Sequence, residues 1–363
     1  MMDEEEDRAI AQTLTAWFER HHRDLPWRQT RDPYAIWVSE IMLQQTRVDT
    51  VIPYYQRFLG RFPNVMSLAS APLDDVLRHW QGLGYYRRAR QLHEAAGQVV
   101  ADHEGVFPDT VAGLRALSGV GPYTAGAVAS IAFDAPAPLV DGNVARVLSR
   151  RFGIWDDIKH GRTQKELWRL AGDLVKQAAS PGAFNQALME LGATVCTPRR
   201  PKCVDCPLAT DCVARVEDVT DRLPVVGAKK APRRVRLVAA VVTHDKTERV
   251  LLAQRQADGL FGGLWEPPMV EGEDLETTRR QLGRLGAPPS VELMEVGEVT
   301  HLLTHRRLDV TVARARASRA HRLRRRPSEP YVQLRWVRPD EVALSTLARR
   351  VLSAADQPQE RLF

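Results

Sequence analysis

The chain has 363 residues, of which 44% are hydrophobic and 26% charged, so it is long enough for two ordinary domains that each bury a core. Its net charge of +6 permits a polyanionic partner but does not require one. No apolar run reaches the roughly 20 residues that cross a bilayer, and the acidic start is unlike a signal peptide. We therefore expect a cytoplasmic protein without a membrane partner.

The first part of the chain has a helical pattern. Apolar residues recur at three- and four-residue spacing from about residue 10 to residue 191, which predicts an all-α domain over residues 1–222. A polar linker that contains prolines is predicted over 223–234. The clearest single helices are predicted over 36–46, 73–80, 86–100, 123–133 and 143–152.

The last part of the chain changes to short segments rich in β-branched residues. Residues 235–243 and 250–254 predict a hairpin, because turn-forming residues separate them. The whole of 235–363 therefore predicts a small α+β domain. Further strands are predicted over 291–300, 308–314 and 331–337, and a helix over 274–285.

All four cysteines lie within residues 196–212, whereas a disulfide framework would spread them between distant elements. The clustering predicts a metal centre in a reducing compartment. Structural zinc and a cubane iron–sulfur cluster are both compatible with this spacing, although zinc ribbons usually pair two CxxC motifs and this loop has one. The predicted ligands are Cys196, Cys203, Cys206 and Cys212.

Two glycines interrupt the helical pattern at residues 117–125 (LSGVGPYTA). Gly119, Val120 and Gly121 form a tight hairpin whose backbone amides, with the start of the next helix, suit a DNA phosphate. An ordinary connection between two helices is the alternative for so short a motif.

Two carboxylic acids fit the chemistry of glycosidic bond cleavage. Asp141 lies at the predicted start of a helix, where backbone amides favour the ionised form that stabilises a sugar cation. Glu40 is flanked by apolar residues, and burial there would raise its pKa and suit it to general-acid work. A plain helix cap and an exposed helix glutamate are the structural alternatives.

These motifs together resemble the helix-hairpin-helix DNA glycosylase superfamily and, within it, the MutY-type adenine DNA glycosylases, over nearly the whole chain. The resemblance implies an all-α glycosylase domain whose cysteine loop holds a [4Fe-4S] cluster, followed by a MutT-like (Nudix-fold) module. It also implies a bacterial-type, nucleoid-associated monomer that removes adenine paired with 8-oxoguanine or guanine from double-stranded DNA. The segments that carry it are SEIMLQQT (39–46), LSGVGPYTAGA (117–127), VDGNV (140–144) and MELGATVC (189–196).

The resemblance assigns roles to the catalytic candidates. Glu40 would protonate the extruded adenine and then assist water, Asp141 would stabilise the sugar cation, and Tyr123 and Asn143 would support it. Tyr123 stands where the related endonuclease III carries a Schiff-base lysine, so we expect strand cleavage to be weak or absent.

Other residues match the family's substrate contacts. Gln45 and Tyr85 resemble residues that probe the opposing base. The adenine pocket would be formed by Trp27, Arg28, Leu43 and Glu190, although Trp27 and Leu43 fit a core equally well and Arg28 with Glu190 fits a structural ion pair.

The C-terminal module departs from the family pattern in two places. Its recognition loop reads Leu303, Thr304 and His305, where the family usually has Phe-Ser-His, so we expect 8-oxoguanine discrimination to be weakened by loss of the ring. Residues 274–282 lack the run of acids that a Nudix hydrolase needs for metal, so we expect no pyrophosphatase activity.

Two rival functions remain. An endonuclease III-like lyase is disfavoured by Tyr123 and by the appended C-terminal domain. A noncatalytic, damage-binding iron–sulfur protein is disfavoured because Glu40 and Asp141 are both present.

Overall fold

The computed structural model describes residues 4–228, 231–272, 274–285, 292–317 and 330–356. The described chain is helical as far as residue 228. Its helices are α1 (Glu4–His21), α2 (Pro33–Leu43), α3 (Val48–Arg61), α4 (Val65–Ala69), α5 (Leu73–Trp80), α6 (Arg87–His103), α7 (Val111–Ala116), α8 (Pro122–Phe133), α9 (Gly142–Phe152), α10 (Gly161–Lys176), α11 (Pro181–Thr194) and α12 (Val213–Val216), with 3-10 turns at Pro26–Arg28 and Cys203–Asp205.

The five singled-out helices are confirmed, although the one predicted over 86–100 continues to His103. The helix predicted over 36–46 ends at Leu43, because the chain turns at Gln45, which adopts a left-handed conformation with a φ of 56°. None of the helices in the described residues is long and apolar enough to span a membrane.

Backbone contacts divide the chain into two compact units. The helical unit contains the residues up to 70 together with 91–228. The sheet unit contains residues 71–90 together with the chain after 228. Within the predicted linker, residues 229 and 230 lie outside the described residues.

One core cluster of the helical unit is formed mainly by buried side chains of α1, α9, α10 and α11. The apolar face of α11 contributes Phe184, Leu188 and Leu191, which are at most 1% exposed. Burial of this face stabilises α11 and fixes its position beside the first turn of α9.

Two helix starts position the site. Asp141 caps α9, and its Oδ1 accepts a hydrogen bond of 2.7 Å from the amide of Val144. Pro122 is the first residue of α8, where its missing N–H has no cost. The preceding hairpin requires Gly119, which has a φ of 73° and whose added Cβ would lie 2.6 Å from the Cβ of Gln91.

The sheet unit contains a mixed sheet. The elements after residue 228 are β1 (Arg233–His244), β2 (Val250–Arg255), β3 (Trp265–Glu266), β4 (Met269–Glu271), α13 (Leu275–Leu285), β5 (Met294–Leu302), β6 (Arg306–Ala317), β7 (Tyr331–Val337) and α14 (Thr346–Asp356), with a 3-10 turn at Pro339–Glu341. The two strands of the predicted hairpin, β1 and β2, are neighbours, but β1 makes its longest pairing in parallel with β6, and β2 pairs mostly with β7.

The two faces of this sheet are buried against different helices. Alternate residues of β1 and β6 pack on α14, and the intervening ones form a second cluster that includes Leu282 of α13. The predicted strands and the predicted helix over 274–285 are confirmed where they are described; residues 286–291 lie outside the described residues. The sheet and its two helices make this an α+β domain, as predicted.

Candidate active site

The helical unit contains a cavity of about 660 Å³, within the size range of small-ligand pockets. Its walls come from α2, α8, α9, α11 and the turn at Pro26–Arg28. The structure therefore brings together predicted residues from segments that are far apart in sequence. The predicted residues that line the cavity are Trp27, Arg28, Glu40, Leu43, Gln45, Gly119, Gly121, Tyr123, Asp141, Asn143 and Glu190.

Glu40 is a buried carboxyl group at the cavity wall. Its side chain leaves α2, and the residue is only 4% exposed. Burial raises the pKa of Glu40 to about 7, and the nearby charge of Asp141 also raises it, against the lowering effects of Tyr123 and Arg28. A substantial fraction of Glu40 therefore holds a proton near neutral pH, which suits the general-acid role that the sequence predicts for a buried position.

Asp141 is both a helix cap and a cavity residue. Beyond the amide of Val144, its Oδ2 accepts a hydrogen bond of 2.9 Å from Asn143. Burial raises the pKa of Asp141 above its ordinary value, although these hydrogen bonds and the charge of Arg146 lower it. The amides do favour the ionised form, as predicted, but burial outweighs them.

Asn143 is fixed from two further sides. Its Oδ1 accepts a hydrogen bond of 2.8 Å from Arg146, which also donates to the backbone oxygens of Cys196 and Gly192. Gly192 allows α11 to approach this closely, because an added Cβ would lie 2.6 Å from the Cβ of Asn143. No sequence pattern indicates this role of Arg146.

Tyr123, in the first turn of α8, contacts the acid directly. Its hydroxyl donates a hydrogen bond of 2.7 Å to Oε2 of Glu40, and the sulfur of Met189 lies 3.2 Å from the same hydroxyl. One proton thus faces two acceptors. Met189 has no sequence signal for this contact, because a methionine beside a glutamate on a buried helix face is typical of ordinary core.

Glu190, on α11, is held by two arginines. Arg23 donates to both of its carboxylate oxygens, at 2.7 and 2.8 Å, and Arg28 donates to Oε2 at 2.8 Å. Burial by itself raises the pKa of Glu190, but the hydrogen bonds from Arg23 and Arg28 outweigh it and bring the pKa to about 2. The ion pair of Arg28 with Glu190 is thus present, and Arg23 is a partner that the sequence did not reveal.

Trp27 and Leu43 act both as core residues and as pocket residues, the two alternatives that the sequence left open. Trp27 is 7% exposed and packs edge-on against Tyr55, with ring centroids 5.4 Å apart. Leu43 is half-buried at the end of α2. Both also line the cavity, so they belong to the core and to the pocket wall.

The hairpin residues lie at one side of this cavity. Gly119 and Gly121 are exposed and line it, and so does the exposed Gln45. Val120 differs from them, because its side chain is 7% exposed and its amide donates to the carbonyl of Leu117.

The remaining predicted contact residues meet in the sheet unit. Thr304 and His305 form the exposed tip between β5 and β6, and Leu303 is half-buried in the same turn. The hydroxyl groups of Tyr85 and Thr304 lie 3.3 Å apart. Tyr85 has a φ of 48° and is 48% exposed.

The four cysteines line a second cavity in the helical unit. Burial and the neighbouring thiol groups raise the pKa of Cys206 to about 11, so a cationic centre is needed to hold four thiolates together. Among the described residues, no group of three or more Cys, His, Asp or Glu side chains is arranged around a point where one metal ion would bind. The four thiols nevertheless share one cavity.

Comparison with known proteins agrees with this geometry. Residues 38–172 match the family model of the HhH-GPD superfamily base excision DNA repair proteins, and residues 238–354 match the NUDIX domain. The chain is 40% identical to the adenine DNA glycosylase of Homo sapiens, over 84% of this chain and 66% of that protein. It is also 40% identical to that of Mus musculus, over 84% and 70%.

The chain belongs to the adenine DNA glycosylase family. The predicted family and fold class are thereby confirmed. The chain spans about two thirds of the length of the human relative. The solved structure of a thermostable thymine-DNA glycosylase is also similar, with a TM-score of 0.53 and 32% identity, over 59% of this chain and 98% of that one. The adenine DNA glycosylase family thus shares the fold of its helical part with an enzyme named for another base.

Proposed function

We propose that this chain is a monofunctional adenine DNA glycosylase of base excision repair, which extrudes adenine paired with 8-oxoguanine or guanine and hydrolyses its N-glycosidic bond. One observation carries the proposal. Glu40, with a pKa of about 7, shares a cavity with Asp141, which accepts hydrogen bonds that favour its ionised form. An acid and a cation-stabilising carboxylate are the pair that such a cleavage needs.

In the proposed reaction, protonated Glu40 transfers its proton to a ring nitrogen of the extruded adenine. The glycosidic bond then breaks, and its electron pair leaves with the base. Asp141, supported by Asn143, stabilises the positive charge on the sugar. The Glu40 carboxylate accepts a proton from the water that adds to the sugar carbon, which leaves an abasic site and regenerates the acid.

The far end of the cavity is proposed to recognise the base. Glu190 stays ionised beside Arg28, so this end offers fixed acceptors and donors to the edge of a purine, with Trp27 and Leu43 as apolar walls. A site whose buried polar groups match one base disfavours a base that leaves them unpaired.

Tyr123 supports the monofunctional part of the proposal. Its hydroxyl is hydrogen bonded to Glu40, and a phenol cannot form the imine through which a lysine cleaves the strand. We therefore propose that the lyase activity of an endonuclease III-like enzyme is weak or absent.

Contacts with the opposite strand are proposed for each unit by itself. In the helical unit, Gln45 would contact the base opposite adenine. In the sheet unit, Tyr85 would do so as well, and Thr304 with His305 would contact 8-oxoguanine. The amides of Gly119 and Gly121, together with the start of α8, would bind a phosphate, and Val120, whose own amide donates to Leu117, would hold the hairpin in shape. The exposure of most of these residues supports such contacts.

We propose that Cys196, Cys203, Cys206 and Cys212 hold a [4Fe-4S] cluster, which would supply structural support to the loop. Their shared cavity supports one common centre, and the spacing of the four cysteines, with a single CxxC motif, favours a cluster over a zinc ribbon. Purified under nitrogen, the protein should contain about four iron ions per chain; stoichiometric zinc would contradict this assignment.

Three further expectations stay proposals. The chain would act on the nucleoid of a bacterial cytoplasm, and as a monomer, since the two carboxylates and the four thiols come from one chain. The domains would be 1–222 and 235–363, joined by 223–234.

Single-turnover adenine release tests the function. The substrates are duplexes with adenine opposite 8-oxoguanine, guanine or thymine, and a fourth duplex with thymine opposite guanine, each analysed with and without alkali. We expect release in the order of the first three, strand breaks only after alkali, and no release of thymine. Release of thymine alone, or breaks without alkali, would contradict the assignment.

A further inference from the structure

Arg88 is a buried arginine in the first turn of α6, within the sheet unit. It is 8% exposed, and burial lowers its pKa to about 10. Removing a guanidinium group from water is costly unless its surroundings stabilise the charge. Its exposed neighbour Arg87 shows that an arginine of this helix can remain in water.

Two aromatic rings lie next to the Arg88 guanidinium group. The Cζ atom of Arg88 lies 5.3 Å from the ring centroid of Tyr85 and 5.4 Å from that of Trp80, within the range of cation–π interactions. The Trp80 ring is fully buried, so this side of the arrangement is fixed, whereas Tyr85 is half exposed. Arg88 thus connects a rigid ring to an exposed one.

The backbone before Tyr85 is held by the same groups. The carbonyl of Gly84 accepts a hydrogen bond of 3.1 Å from the Trp80 indole and one of 3.3 Å from Arg88. Tyr85 itself has a left-handed conformation, which a residue with a side chain rarely adopts without support from its surroundings. Neighbouring contacts must maintain this conformation. Arg88 contributes a hydrogen bond to the Gly84 carbonyl and a cation–π contact with the Tyr85 ring.

We propose that Arg88 is a positioning residue for the opposite-base check: it holds the Tyr85 ring in the orientation in which it inserts beside the base that was paired with adenine. This proposal rests on the proposed function. The Tyr85 hydroxyl is oriented separately, at 3.3 Å from Thr304. A preorganised ring loses little conformational entropy when it stacks on a base, and the cation behind it would stay desolvated in the complex.

Four variants test this role. Arg88→Met removes the charge but keeps an unbranched side chain, Arg88→Lys keeps a cation, Arg87→Met is the matched control on the same helix, and Tyr85→Leu removes the ring. Single-turnover release is measured for adenine opposite 8-oxoguanine and opposite guanine. We expect Arg88→Met to lower the ratio of the two rates about 10-fold, Arg88→Lys to restore part of it, and Arg87→Met to leave it unchanged.

The Tyr85→Leu background separates positioning from general destabilisation. Arg88→Met should have no further effect on the ratio there, because the ring that it positions is absent. Equal losses with both opposite bases, or the same loss of ratio in both backgrounds, would overturn the proposal. Arg88→Lys, whose stability should stay close to that of the wild type, covers the case in which Arg88→Met fails to fold.

A binding measurement tests the role of Arg88 without relying on adenine release. A duplex with a noncleavable adenine analogue carries 2-aminopurine beside 8-oxoguanine, and insertion of Tyr85 should raise its fluorescence. If the wild type releases no adenine, the proposed function fails, but Arg88 is still tested by this signal. A wild-type rise that Arg88→Met leaves unchanged would contradict the positioning role.

Discussion

Glu40 and Glu190 line the same cavity and are nearly equally buried, at 4% and 1% exposure, yet their pKa values are displaced in opposite directions. Burial raises the pKa of both. At Glu190 two arginines overcome this effect, whereas at Glu40 the main neighbour is a tyrosine hydroxyl, with the charge of Asp141 nearby. The neighbouring charges, and not the depth of burial, make one glutamate a proton donor and the other a fixed anion.

The largest effect should come from removing the proton donor. Glu40→Gln preserves the shape of the side chain and the contact with Tyr123, but it cannot donate an acidic proton. We expect adenine release from a duplex with 8-oxoguanine to fall about 1000-fold. Thermal unfolding at pH 8 should show no loss of stability, because the variant no longer buries an ionisable group. A rate within 10-fold of the wild type would rule Glu40 out as the acid.

Breaking the arginine cluster should chiefly reduce stability. Arg28→Met leaves Glu190 buried with Arg23, whose side chain is 40% exposed, as the remaining partner in the cluster. We expect the free energy of unfolding in urea to fall by about 3 kcal/mol. Arg23→Met should cost less, because Arg23 is closer to solvent.

A second change then shows whether the cost is electrostatic. Adding Glu190→Gln to Arg28→Met removes the poorly paired charge and should recover part of the lost stability. If the double variant is as unstable as the sum of the two single variants, packing around Arg28 accounts for the loss and the ion pair does not.

The two glutamates should also respond to pH in opposite ways. The folded pKa of Glu40, about 7, lies above its ordinary value of 4.5, so its contribution to stability is complete below pH 4.5 and is lost as the pH rises to 7. The folded pKa of Glu190, about 2, lies below 4.5, so its contribution is present above pH 4.5 and is lost as the pH falls to 2. At about 1.4 kcal/mol per pH unit, the displacement of each pKa from 4.5 corresponds to about 3 kcal/mol.

Urea unfolding from pH 3 to pH 8 measures both effects. Glu40→Gln should flatten the decline above pH 4.5, and Glu190→Gln should flatten the decline below it. If the unfolding profile of Glu40→Gln runs parallel to that of the wild type over the whole range, the pKa of Glu40 is not raised by folding.

Local parts of this site could be predicted from sequence, whereas its long-range parts could not. Asp141 as a helix cap depends on a contact with Val144, three residues later, and so the short motif contains the whole interaction. Arg23 is different, because its partner Glu190 lies 167 residues away, and neither segment indicates the other. The apolar surroundings of Glu40 predicted burial, but the partner that lowers its pKa, Tyr123, comes from another helix.

In the fold as well, local features could be predicted from sequence and long-range ones could not. Apolar periodicity predicted the individual helices and strands, because each depends on neighbouring residues. It placed β1 and β2 in one hairpin, but the main partner of β1 is β6, which follows far along the chain. Pairing in a mixed sheet depends on which buried faces match, and the pattern of one strand does not specify its partner. The grouping of residues 71–90 with the sheet unit had no sequence signal for the same reason.

The smallest predicted effect concerns Tyr123, whose single hydroxyl proton faces both Glu40 and the sulfur of Met189. A sulfur atom is a weak acceptor, but it competes with the carboxylate for this proton. Met189→Leu should therefore strengthen the hydrogen bond to ionised Glu40 and lower its pKa. The midpoint at which adenine release declines on the alkaline side should move down by about half a pH unit.

Tyr123→Phe should move this midpoint in the other direction, since the ionised form of Glu40 loses its donor. In the Tyr123→Phe background, Met189→Leu should leave the midpoint unchanged, because no hydroxyl proton remains for the sulfur to attract. A shift of the same size in both backgrounds would mean that Met189 acts on Glu40 through the packing or polarity of the cavity. The pKa of the proton donor would then depend on the shape of the cavity rather than on competition for one proton.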